Sequence, residues 1–230
     1  MQTARDFERV KNVILPEDEY KGVQAYTTYY YQYFFTMLVM MFVIYDMFAQ
    51  RDNGMWSITY SCANGRIMYA IKQTGVIVVT GAFTHTLIYW STFIAAMLQR
   101  GGVRDLVNPV QTIETFDKFT YPWSKIKYVT VLYLISMVCI VALCITIWGV
   151  FVMFRNRVYA LVTMLIFAAV EQFIYSHIDI HSVWNGLHYI NIINIININA
   201  TFSSYRNWGV GTYVFPVFSV VLFVHIICAG

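Results

Sequence analysis

The chain holds five runs of about 18 or more residues in which apolar side chains are interrupted by few charges, at 30–48, 74–98, 128–154, 158–175 and 212–229. A helix crosses the hydrocarbon core of a bilayer with about 20 apolar residues, because each backbone N–H and C=O must find its partner inside the segment where water is absent. Runs of this length predict an all-α polytopic membrane protein with about five transmembrane helices. The charge content agrees. Only 12% of the residues are charged and 59% are hydrophobic, whereas a soluble domain carries roughly 25% charged residues. The net charge of +3 is small and scattered, which argues against nucleic acid as a partner. The four cysteines show no Cys-x-x-Cys spacing and read as small hydrophobes rather than a disulfide framework.

Residues 1–25 are charged throughout, from Arg5 to Lys21, and form an extramembrane N-terminal segment rather than a secretory signal. Residues 26–230 form the transmembrane domain. The first run is entered through Tyr26, Tyr29, Tyr30, Tyr31 and Tyr33, a density that suits the headgroup level, where the ring is buried and the hydroxyl stays wet, or plain packing. Trp123, Tyr121 and Tyr128 precede the third run in the same way. Of the fifteen Lys and Arg residues, ten fall on the side holding 1–25, 99–127 and 177–211, and five on the other. Yet the two short connections, where a basic bias best reports the cytoplasmic face, belong to the side with five. Charge alone leaves orientation open.

Between the first two runs stands Gln50-Arg51-Asp52-Asn53-Gly54-Met55-Trp56, followed by Asn64-Gly65-Arg66 and Lys72. The two Asn-Gly pairs bracket about nine residues, which as a helix extend roughly 14 Å, short enough to lie along the membrane surface. An ordinary polar loop with two tight turns is the alternative.

This stretch resembles the cytoplasmic coupling segment of type-2 ABC exporter permeases in their Gram-positive version, which carries Glu-Arg-x-x-Gly, a short helix, Gly-Arg and a Lys at the start of the next span. Asn108-Pro109-Val110-Gln111-Thr112-Ile113-Glu114-Thr115-Phe116 is similar to that family's Pro-Ile-Gln-Ser-Ile motif, and Asn191 through Tyr205 and Asn207 resembles its Asn-rich approach to the last span. The resemblance implies a permease subunit in the cell membrane, driven by a separate ABC ATPase subunit and paired with a second permease subunit. It implies no cofactor, and it places Arg51, Gly54, Met55, Trp56, Gly65, Arg66 and Lys72 in contact with the ATPase. It also implies a cytoplasmic location for residues 50–73 and an external one for 99–127. Gln50 stands where the family carries an acid, and five runs stand where it has six spans, so the expectation is a fragment or split permease lacking the first span.

Other constellations compete with this reading. Glu171, His177, His181 and His188 have a spacing compatible with a metal, which makes a membrane-bound metal-dependent enzyme the second hypothesis. Five histidines in the chain are too few for a histidine-rich di-iron centre, and no metal site is expected. Asp46, His85 and Glu171 are polar groups within apolar runs. An ionised side chain at a helix centre costs about 2.5–3.5 kcal/mol on insertion scales, so a small ion or proton carrier using Asp46 and Glu171 is the third hypothesis. The chain has no Gly-x4-Gly-Lys-Ser/Thr motif, so any ATP chemistry belongs to another chain.

Overall fold

The computed structural model describes residues 8, 11, 22–28, 32–54, 56, 58, 61, 65–100, 102–113, 116, 119, 121–177, 207–210 and 213–216. Its helices are α1 (Gly22–Thr28), α2 (Gln32–Asp52), α3 (Gly65–Arg100), α4 (Lys125–Met153) and α5 (Arg157–His177), with two 3-10 turns, Val103–Val107 and Val110–Thr112, between α3 and α4. Strands β1 (Asn207–Val210) and β2 (Tyr213–Pro216) pair antiparallel, with Trp208 opposite Phe215. Among the described residues four helices, α2 to α5, are long and apolar enough to cross a membrane. The chain is a multi-pass membrane protein whose spanning part is all-helical.

Each span buries one stripe. In α2 this is Met37, Met40, Met41, Ile44 and Phe48, in α3 Gln73, Ile77, His85, Tyr89 and Phe93, and in α5 Ala160, Met164 and Ala168. Steps of three and four residues place each set on one helical face. The stripes of α2, α4 and α5 converge with Ile77 of α3 in one core, while a second core gathers Tyr26, Tyr89, Phe93, Phe116 and Tyr128. Gly81 allows α3 to cross α4 closely, since a Cβ there would stand 2.6 Å from Cys144 Sγ and 3.5 Å from Met40 Cε.

Two expectations are corrected. The run at 212–229 begins as a strand at Tyr213–Pro216, not as a fifth helix; its remaining residues lie outside the described ones. The run at 74–98 belongs to a helix that starts at Gly65, so Arg66 and Lys72 lie inside α3 rather than in a connection before it. Hydropathy marks the depth of a helix in the membrane, not its length. Of the two readings of the tyrosines, Tyr26 and Tyr128 show the packing one: they are buried in protein, 2% and 0% exposed. Tyr26 meets Tyr89 and Phe93 edge-on at 5.4 and 5.2 Å.

The segment between α3 and α4 is folded, not a slack loop. The backbone N–H of Val110 donates to Trp123 O (2.9 Å) and that of Lys125 to Asn108 O (2.9 Å). Gln111 Nε2 donates to Phe119 O (3.0 Å) and Tyr121 O (2.7 Å), which gives the glutamine of the Pro-Val-Gln-Thr-Ile stretch a physical task. Lys125 and Asp105, both buried, are joined by an ion pair that pins the first 3-10 turn to the start of α4.

Candidate functional site

The described residues between α2 and α3 lie at one end of the bundle, opposite the described residues between α3 and α4. α2 runs on to Asp52, and the chain then turns at Gly54, which adopts φ 78° in the left-handed region where a Cβ is disfavoured. The N–H of Asn53 donates to Ala49 O (3.1 Å) and that of Gly54 to Arg51 O (3.0 Å), which closes the helix end. Trp56 and Ile58 are helical, and Ser61 closes a turn on Ile58 O through its N–H and its hydroxyl. Trp56 is 8% exposed and stands between Phe48 of α2 (5.1 Å) and Tyr69 of α3 (5.5 Å). Ile58 points out, 71% exposed. A short element is thus anchored by one aromatic side chain and presents an aliphatic one.

Arg51 does not face outward. Its guanidinium donates to Phe151 O (3.3 Å), Phe154 O (2.8 Å) and Arg155 O (2.7 Å). Phe151 lies in the last turn of α4, where C=O groups have no intrahelical partner, Phe154 caps that helix, and Arg155 belongs to the turn that follows. A planar fork with five donors reaches acceptors set apart from one another, whereas the three donors of a lysine radiate from a single nitrogen. The guanidinium also lies 4.8 Å from the Phe48 ring centre, a cation–π contact. The neighbouring Asp52 accepts from Arg157 Nε at 3.1 Å, and Arg157 sits over Tyr45 at 4.7 Å. Asn156 caps α5 by accepting the N–H of Val158 (2.8 Å). The end of α2 is therefore tied to the α4–α5 turn by charge-assisted bonds as well as by the packing of Phe48 on Phe151 at 5.5 Å. Arg51 is a clamp within the chain, not a free cation for a partner's carboxylates.

The remaining expected residues are dispersed. Gly65 opens α3 and Lys72 is exposed on it; Arg66 lies in α3 with its side chain outside the described residues, as is all of Met55. Asp46 is exposed on α2. His85 is buried in α3 and bonded through Nε2 to Ser136 Oγ of α4 at 2.9 Å. The direction of this bond follows the imidazole tautomer, and the Ser136 hydroxyl is also within reach of Tyr133 O (2.9 Å). Thr86 and Tyr133 bridge the same two helices at 2.8 Å. This network joins α3 to α4, and no other expected site residue touches it.

Glu171 is half-buried in α5, and His177 is exposed at its end, bonded to Ser176. His181 and His188 lie outside the described residues. Among the described residues no three His, Cys, Asp or Glu side chains come together as a metal site would require. Sequence reading missed the Asp52–Arg157 and Asp105–Lys125 pairs. Arg51 and its acceptors are separated by 100 to 104 residues, so no local spacing signals them. No family model, curated protein or solved structure matches the chain.

Proposed function

We propose that the chain is the transmembrane subunit of an ABC exporter in the cell membrane, driven by a separate ATPase subunit and completed by a second permease subunit. The observation that carries this reading is the anchored element at 53–61. Trp56 fixes it to α2 and α3, while Arg51 and Asp52 connect its root to α4 and α5. A push on such an element reaches all four spans, which is what a coupling segment must do. In this reading the connection between α2 and α3 is cytoplasmic and 99–127 external. ATP binding closes the partner nucleotide-binding subunits, their surface bears on Ile58, and the spans tilt about the close crossing at Gly81.

The reading is tested by purifying the tagged protein from its native membranes. A Walker-motif ATPase is expected to accompany it in stoichiometric amount, with ATP hydrolysis in the purified complex. Ile58→Asp should remove both while leaving the membrane level of the chain unchanged, since the residue is exposed and outside the bundle core. A wild-type chain that carries no ATPase, or an Ile58→Asp chain that retains ATPase and hydrolysis, refutes the proposal.

A further inference from the structure

The bundle leaves two opposite charges on outward faces at the same depth. α2 and α5 each have 21 residues, about 31 Å of helix and the thickness of a hydrocarbon core. The Asp52–Arg157 ion pair aligns their ends, so this level marks one membrane boundary. Asp46 stands six residues inside it on α2, about 9 Å. It continues an exposed stripe formed by Phe35, Val39 and Phe42, a surface suited to lipid or to another helix. An aspartate side chain is too short to reach the headgroups across that distance, so facing lipid it would bear an uncompensated charge.

Lys72 supplies the complement. Trp56 touches Phe48 and Tyr69 and so sets those two residues at one level. Asp46 lies two residues inward from Phe48 and Lys72 three residues inward from Tyr69, about 3 and 4.5 Å. Lys72 is exposed beside Met68, Ile71 and Val76. Neither charge has an ion-pair or hydrogen-bond partner among the described residues. Three residues further along the same face, Gly75 is exposed, and a Cβ added there meets nothing within 4 Å. Gly81 has an intrachain reason to be glycine and Gly75 has none; a bare backbone at that point suits the approach of a helix from outside. Gly149 is equally open but has no charge beside it.

We infer that the α2 and α3 faces bearing Asp46 and Lys72 form an interface with a second copy of this chain, in which Asp46 of each copy pairs with Lys72 of the other. Two copies inserted in the same direction are related by rotation about the membrane normal, which keeps every residue at its own depth. Complementary charges at equal depth therefore meet twice across one two-fold axis, as an isologous contact requires. The inference rests on the membrane-spanning fold and the two charges, and it stands whether or not an ATPase binds at the other surface.

Two differently tagged copies, expressed together with their native cysteines replaced by alanine, provide the test. With Asp46→Cys in one copy and Lys72→Cys in the other, oxidation in the membrane should give a product carrying both tags. Omitting either cysteine should abolish it. In cysteine-intact chains, Asp46→Lys or Lys72→Asp in both copies should lower recovery of one tag with the other roughly tenfold, and the double reversal should restore it. The inference is overturned if the mixed product does not form, or if single reversals leave the paired recovery unchanged. It is equally overturned if placing both cysteines in one chain gives only an internal link.

Discussion

Replacing Lys125 with methionine tests how the folded segment between α3 and α4 is held. Lys125 is 1% exposed and Asp105 0%, and Asp105 Oδ2 has no hydrogen-bond partner among the described residues. The carboxylate thus relies on one ammonium for its compensation. Lys125→Met keeps the length and apolar stem of the side chain but leaves a buried charge unpaired, a change that costs about 3–5 kcal/mol. For a chain of this size 1 kcal/mol moves the unfolding midpoint by about 2–4 °C, so the expected fall is about 6–20 °C. The assay is thermal unfolding in detergent at one fixed scan rate, because membrane proteins often unfold irreversibly. Asp105→Leu combined with Lys125→Met should recover most of the loss, since replacing both partners of a buried pair with apolar groups is far less costly than removing one. A midpoint for Lys125→Met within about 2 °C of the parent, or a double variant no better than the single one, would refute this account of the pair.

Two further outcomes follow from the packing. Gly81→Ala should lower stability by about 1–3 kcal/mol because its methyl meets Cys144 Sγ, whereas Gly149→Ala, with open space, should be neutral or stabilise by up to about 1 kcal/mol; equal midpoints for the two variants in the same unfolding assay would count against the close crossing. Arg51→Met should cost about 1.5–3 kcal/mol by releasing the carbonyls of Phe154 and Arg155 in the α4–α5 turn, Arg51→Lys should recover only part of it, and tryptic cleavage at Arg155 and Arg157 should become faster in both. Unchanged cleavage would mean that the α4–α5 turn does not depend on the clamp.

Four spans were legible in the sequence because each is a long apolar run between polar residues, and the observed helices include nearly all of each run. Their ends were less legible. Ala49-Gln50-Arg51-Asp52 reads as loop by polarity, yet it completes the last turn of α2 since Arg51 and Asp52 find partners on the α4–α5 turn. Residues 65–73 likewise carry polar side chains on a helix that has already begun. The run at 212–229 has the length of a span, but its opening residues Tyr213, Val214 and Phe215 are β-formers by type, and they pair with Asn207–Val210. At the candidate site, Gly54 was legible because Asn-Gly calls for a residue with positive φ. The placement of Trp56 and the inward turn of Arg51 were not, because both depend on residues that the fold alone brings near.

The coupling claim is tested most directly by a photo-crosslinking amino acid at position 58, activated in intact native membranes. Ile58 is exposed on the anchored element, so under the proposed function its adduct is a Walker-motif ATPase, formed in good yield and changed by ATP and vanadate. The same probe at Val138, exposed on α4 inside the span, should give no such adduct. If the probe at position 58 yields only lipid or no adduct, while Val138 behaves identically, the element does not meet an ATPase and the exporter reading is contradicted.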